Sequence, residues 1–154
     1  GDSDWVSPTD AENFDQVIHE YGCIIVGRKT FDQFQGDLYP VEGILNVVVT
    51  NTTDLKNESA GVYFIKPSAE DIVRLIMEKG HEKALLIGGG TVNGLFAKAG
   101  LIDELIVSFH PLAFGKGIHL FEGIETDMKL KLVSSEALKD GVVRAKYSVV
   151  SREK

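Results

Sequence analysis

Leu86-Ile87-Gly88-Gly89-Gly90-Thr91-Val92-Asn93-Gly94-Leu95-Phe96 decides how the rest of the chain reads. Three consecutive glycines stand between an apolar run and a segment of helical periodicity. Bare backbone of this kind forgoes side-chain packing and carries the largest entropy loss on folding, so something must offset it. Ala84 to Ile87 reads as a buried strand. Thr91 to Ala99, with Val92, Leu95, Phe96 and Ala99 on one side, reads as a helix closed by Gly100. The glycines are then the turn that joins strand to helix.

The same alternation runs through the preceding residues. Ser7-Pro8-Thr9-Asp10 is a helix start, with Ser7 as N-cap, Pro8 at the first helical position and Asp10 completing a capping box. Phe14, Val17, Ile18 and Tyr21 follow at helical spacing, which predicts that one face of Pro8 to Tyr21 is buried, and Gly22 ends the segment. Cys23 to Val26 is a short apolar strand that Gly27-Arg28-Lys29-Thr30-Phe31 turns into a second helix reaching about Phe34. Asn46 to Thr50 and Val62 to Ile65 repeat the strand signal across a polar loop. Ser68 opens a third helix through Ile72, Val73 and Ile76 that should stop at Gly80. After Gly100 come three longer runs of strand propensity, Glu104 to Pro111, Lys129 to Ser135 and Val142 to Val150, the last two joined by a loop containing Lys139-Asp140-Gly141. Seven strands and four helices in this order describe an α/β fold. Its sheet is expected to be mainly parallel with an antiparallel edge at the C-terminal end, and residues 1–154 to form a single domain.

Composition narrows the function. Among 154 residues, 16 Lys and Arg stand against 23 Asp and Glu, for a formal net charge of -7. No basic stripe is present to track a nucleic-acid backbone, so nucleic acid is not an expected partner. The one cysteine, Cys23, rules out an internal disulfide and a cysteine-built metal site. His19, His81, His110 and His119 show no ligand spacing, and no metal is expected. No apolar stretch approaches the roughly 20 residues that span a bilayer, and no basic-then-apolar leader is seen. The expectation is a cytoplasmic protein without a membrane partner.

In open α/β sheets, ligands bind beyond the carboxyl ends of the strands, where both glycine-bearing turns lie. In IGGGTVN, amides at the start of a helix can point at an anion while missing Cβ atoms let a phosphate come close. In VGRKT, Arg28 and Lys29 add positive charge to an acidic chain. Two such turns suggest a diphosphate flanked by a second anionic group; the plain alternative is a pair of tight connections. GCIIVGRKT is not a P-loop, because an arginine precedes the lysine and CIIV is needed as a strand. GGGTVNG misses G-x-G-x-x-G at Asn93. Asp10 lies four residues before Phe14 and seven before Val17, which puts it on the apolar face of the first helix. It either completes the capping box or handles a proton at a cleft. Trp5 is either a staple onto that helix or an aromatic wall for a planar ligand.

Taken together, DWVSPTDAENF, IIVGRKTF, NVVVTN, LIGGGTVNGLF and GIHLF resemble, in order and spacing, the dihydrofolate reductase superfamily, which includes the reductase-type C-terminal domains of riboflavin biosynthesis. The resemblance covers nearly the whole chain. It implies a mixed sheet of eight strands with four helices, and NADPH-dependent reduction of a pteridine- or pyrimidine-type heterocycle. Gly27, Arg28, Lys29 and Thr30 would hold the cofactor's diphosphate and 2'-phosphate, and Arg28 would select NADPH over NADH. Gly88, Gly89 and Gly90 would form the second diphosphate loop, which in the family contains a cis Gly-Gly bond, with Ile87, Thr91 and Val92 beside it. Thr50 and Asn51 fall on the adenosine side. Asp10 matches the carboxylate that binds the substrate ring and assists its protonation, Trp5 the aromatic beside it, and Ser108 the hydroxyl that hydrogen-bonds the acid.

Three departures accompany this match. The strand without a counterpart is the first, which precedes DSDW in the family. An upstream segment lost from the chain is the expectation, together with a gap near the centre of the sheet. Ile44 stands where folate-reducing members place the arginine that grips the glutamate tail, which argues against dihydrofolate as substrate. Ile87 stands where riboflavin-type reductases often have an acidic residue. Two alternatives stand beside the main reading: a reductase of the 5-amino-6-(5-phosphoribosylamino)uracil type, and a nucleotide-binding module without catalysis. The riboflavin-type branch suggests a homodimer and the folate branch a monomer.

Overall fold

A computed structural model of the chain describes residues 8–36, 38–52, 61–111, 113, 115, 121 and 127–153, with side chains described from residue 14 to residue 150. In chain order the elements are α1 (Pro8–Tyr21), β1 (Cys23–Gly27), α2 (Arg28–Gln33), β2 (Leu45–Val49), β3 (Val62–Ile65), α3 (Ala69–Glu78), β4 (Leu85–Gly88), α4 (Gly90–Lys98), β5 (Glu104–Phe109), β6 (Asp127–Ala137) and β7 (Val143–Glu153). A short 3₁₀ turn, Lys139–Gly141, links the last two strands. Ser68 caps α3 by accepting a hydrogen bond from the Asp71 amide at 3.3 Å.

The first four strands form a parallel sheet in the order β3-β2-β1-β4. Residues of β1 and β2 are buried throughout, and successive side chains serve opposite faces. Cys23, Ile25, Val47 and Val49 meet Ile72 and Ile76 of α3 and Val92 and Phe96 of α4 on one side. Ile24, Val26 and Val48 meet Ile18 of α1 and Phe31 of α2 on the other. Helices therefore cover both faces, while the parallel pairing of β1 with β4 brings the β1–α2 and β4–α4 turns to one edge of the sheet. Burying a side chain such as Ile72 in this core contributes about 2 to 3 kcal/mol.

The C-terminal strands form a separate antiparallel sheet, β5-β7-β6, in place of an antiparallel edge on the same ladder. Leu105 and Val149 of this sheet pack into the core beneath α3 and α4. Among the described residues, no strand pairs with the outer edge of β4 or with the outer edge of β5.

One sequence expectation is corrected here. The apolar stripe of α1 is only partly buried: Ile18 is 4% exposed, but Phe14 is 39% exposed, and Val17 and Tyr21 are half-buried. Val17 and Tyr21 line a cavity of about 190 Å³ whose other walls include Ile106 of β5 and Arg144 and Lys146 of β7. The helix packs on β1 but spans the interval between the two sheets, so part of its stripe faces a void. Consistent with this, the wholly apolar run Leu85-Leu86-Ile87 of β4 is half-buried where the matching residues of β1 are enclosed.

Candidate functional site

The two glycine turns lie against each other. β1 and β4 are parallel neighbours, with Val26 opposite Gly88, so the chain leaves both strands at the same edge. A Cβ placed on Gly27 would stand 3.5 Å from the Gly88 carbonyl oxygen, 3.5 Å from the Gly89 nitrogen and 3.1 Å from Val92 Cγ2. One on Gly89 would stand 3.7 Å from Thr30 Oγ1. The absent side chains are what let the turns approach. Gly88 has φ +131, a conformation that residues with a Cβ rarely adopt, and the Gly88–Gly89 peptide is cis, as the family resemblance implied.

Gly89 stands at the N-cap of the nine-residue helix α4 and makes no side-chain cap hydrogen bond of its own. Gly89 and Thr91 are exposed and Gly90 is half-buried, whereas Val92 is buried beneath them. An anion reaching this edge would meet backbone donors and the positive end of the α4 dipole. These are the features that the diphosphate bridge of a dinucleotide requires, and the residues present fit it.

Arg28 opens α2 beside this edge. Its Nε donates to both carboxylate oxygens of Asp32, at 2.9 and 2.8 Å, and its guanidinium carbon lies 5.4 Å from the centroid of the Phe64 ring on β3. Lys29 is exposed and Thr30 half-buried. Thr50 is buried just past β2, where its hydroxyl accepts from the Thr52 amide at 3.2 Å, and Asn51 beside it is exposed. Gly27 to Thr30, Thr50, Asn51 and Ile87 to Val92 thus all sit at the carboxyl ends of β1, β2 and β4.

The substrate side is reached only in part. Trp5 and Ser7 lie outside the described residues. Asp10 falls in the first turn of α1, but its side chain lies outside the described ones. Ser108 is half-buried on β5 opposite Arg144, two residues from Ile106, and so shares the sheet face that looks toward α1. Ile44 is buried with Phe31 and Tyr39 in the cluster under α1 and α2, and Ile87 packs against the same cluster. Both are core residues here and present no charge to a ligand.

Asp32, Phe64 and Asn46 were not singled out by sequence. The i, i+4 spacing of Arg28 and Asp32 on a helix was the available signal for the first. Phe64 is distant in the chain and carries none. Asn46 is 1% exposed within a strand. Its side chain accepts from the Val41 amide at 2.8 Å and donates to the Val41 and Ile44 carbonyls at 2.9 and 3.2 Å. It pins the loop before β2 and has no contact with the glycine turns.

The abutting turns, the helix-covered parallel sheet and the antiparallel tail define a dihydrofolate reductase-like fold. The chain belongs to the RibD C-terminal domain family, whose model matches residues 1–144. It is similar to the Bacillus subtilis (strain 168) protein YyaP, 24% identical over 159 residues that cover 96% of this chain and 84% of YyaP. Among solved structures it is similar to a pyrimidine reductase-like protein from Corynebacterium diphtheriae, at a TM-score of 0.78 and 14% identity, covering 97% of this chain and 84% of that one. It is also similar to a diaminohydroxyphosphoribosylaminopyrimidine deaminase/5-amino-6-(5-phosphoribosylamino)uracil reductase from Thermotoga maritima. There the TM-score is 0.76 and the identity 20%, over 97% of this chain and 51% of that one. Among the described residues no helix is long and apolar enough to cross a membrane.

Proposed function

We propose that the chain is an NADPH-dependent reductase of a pteridine- or pyrimidine-type heterocycle. The observation that carries this reading is the contact between the Gly27 turn and the Gly88-Gly89-Gly90 turn, which places the start of α2 and the start of α4 side by side with no Cβ at Gly27, Gly88, Gly89 or Gly90. When bound, the nicotinamide of such a cofactor supplies the hydride. The chain's own residues hold and orient the dinucleotide. Gly27 and Gly89 let it approach, Arg28 and Lys29 balance its charge, and Thr50 and Asn51 border the adenosine end. Asp10, on the helix that flanks the substrate side, holds the proton for the reduced ring, and Ser108 on the facing strand orients it.

Reduction of a 5-amino-6-(5-phosphoribosylamino)uracil-type substrate is the second reading, favoured by the likeness to the Thermotoga maritima deaminase/reductase. A turnover assay following NADPH oxidation over a panel of pteridines and ribosylaminopyrimidine phosphates separates the two. Loss of turnover in Asp10→Asn with cofactor affinity unchanged is the expected result. Turnover equal to wild type would reduce Asp10 to a helix cap. Binding of NADPH without turnover of any panel member would favour a nucleotide-binding module.

A further inference from the structure

We infer that Asp32 and Phe64 are positioning residues that hold the Arg28 guanidinium ready for a phosphate monoester, and so set the chain's discrimination between 2'-phosphorylated and unphosphorylated adenosine. This rests on the proposed reading of the glycine edge as a dinucleotide site. The geometry is specific. Arg28 spends a single donor, Nε, on Asp32, and its guanidinium carbon lies over the Phe64 ring, 5.4 Å from the centroid. Among the described residues neither Nη1 nor Nη2 has a hydrogen-bond partner. Four N–H donors on two adjacent nitrogens are therefore presented from a guanidinium already held at Nε by Asp32 and against the Phe64 ring. A phosphate monoester accepts two parallel hydrogen bonds from such a pair.

Free arginine side chains lose rotamer freedom when they bind, and that loss subtracts from affinity. Here the loss is incurred on folding. Phe64 is itself fixed, because Phe31 packs edge-on against it at 6.1 Å between centroids, so the platform under Arg28 belongs to the core. Asp32 also has an opposing effect, since its carboxylate repels the phosphate that Arg28 attracts. Both groups are partly exposed, with Arg28 36% and Asp32 47% accessible, so solvent weakens that repulsion and orientation dominates.

Calorimetric titration of the full chain with adenosine 2',5'-bisphosphate and with adenosine 5'-monophosphate tests the inference without any turnover. Wild type should prefer the bisphosphate. Asp32→Ala should cut that preference about five-fold, the equivalent of one freed side chain. Asp32→Asn keeps an oxygen for Nε and should keep the preference. Phe64→Leu retains apolar bulk but removes the aromatic face, and should cost about three-fold, while Phe64→Tyr restores it. Asp32 is at the surface, so its two variants carry the test even if Phe64→Leu unfolds. Equal preference in wild type would overturn the dinucleotide reading itself. A wild-type preference left unchanged in Asp32→Ala, or raised equally in Asp32→Ala and Asp32→Asn, would overturn the positioning role alone.

Discussion

Gly27→Ala probes the contact between the turns from the inside. The backbone at Gly27 has φ -71 and ψ 152, ordinary extended values, so alanine fits the conformation. Stiffening the unfolded chain would by itself add about 0.4 to 1 kcal/mol of stability. The new methyl, however, stands 3.1 Å from Val92 Cγ2, and Val92 is buried and has little room to retreat. Overpacking of this kind costs about 1 to 3 kcal/mol. The balance is a loss of about 1 kcal/mol, or roughly 3 °C in Tm for a chain of this size. Val92→Ala alone should cost about 2 kcal/mol through the space it leaves. In the double variant the added methyl grows into that space, so urea unfolding should return a total at least about 1 kcal/mol below the sum of the single costs. Binding should behave differently. The methyl also sits 3.5 Å from the Gly88 oxygen and Gly89 nitrogen, between the turns, so NADPH affinity should fall at least about ten-fold in both Gly27→Ala and the double variant. Strict additivity of the unfolding energies would refute the packing of Val92 against Gly27. Unchanged affinity would refute the use of the gap.

Two further outcomes follow from single buried groups. Asn46→Ala removes the partner of the Val41 amide and of two carbonyls in one enclosed spot, and should cost about 3 kcal/mol by urea unfolding with NADPH affinity little changed. A cost under about 1 kcal/mol would mean that the loop before β2 finds other partners. Burial pushes the Cys23 thiol up to about 12, so the neutral form persists in the folded chain at mildly alkaline pH while the unfolded chain ionises. Cys23 should therefore resist a thiol-specific disulfide reagent until urea unfolds the protein, and stability should decline as pH rises past the ordinary thiol range. Rapid labelling of the native chain would contradict its enclosure in the core.

Elements whose signal is local were legible in the sequence. α1 was expected from Pro8 to Tyr21 and is found there, and Val62 to Ile65 forms β3 as expected. The remaining strands and helices begin or end within one to three residues of their expected bounds, because apolar periodicity and glycine stops act within a few residues. What the periodicity of α1 could not report is what its stripe meets. Phe14 is 39% exposed and Val17 and Tyr21 border a cavity, because burial depends on a neighbour brought in by the whole topology. The glycine turns were legible as ligand-binding candidates, yet their mutual contact was not, since it depends on β1 and β4 being parallel neighbours. The platform under Arg28 was hidden for the same reason: Phe64 reaches it only through the pairing of β2 with β3. The acidic side of the site rests on the resemblance alone, because the Trp5 and Asp10 side chains lie outside the described residues.

The most direct measurement is a titration of ¹⁵N-labelled chain with NADPH, following backbone amide shifts. The account predicts that the amides of Gly27 to Thr30 and of Gly89 to Val92 move together along one saturating curve, with Asn46 and the β6 amides still. Saturation that moves either turn without the other, or that centres on the cavity beside Ile106 and Arg144, would contradict it.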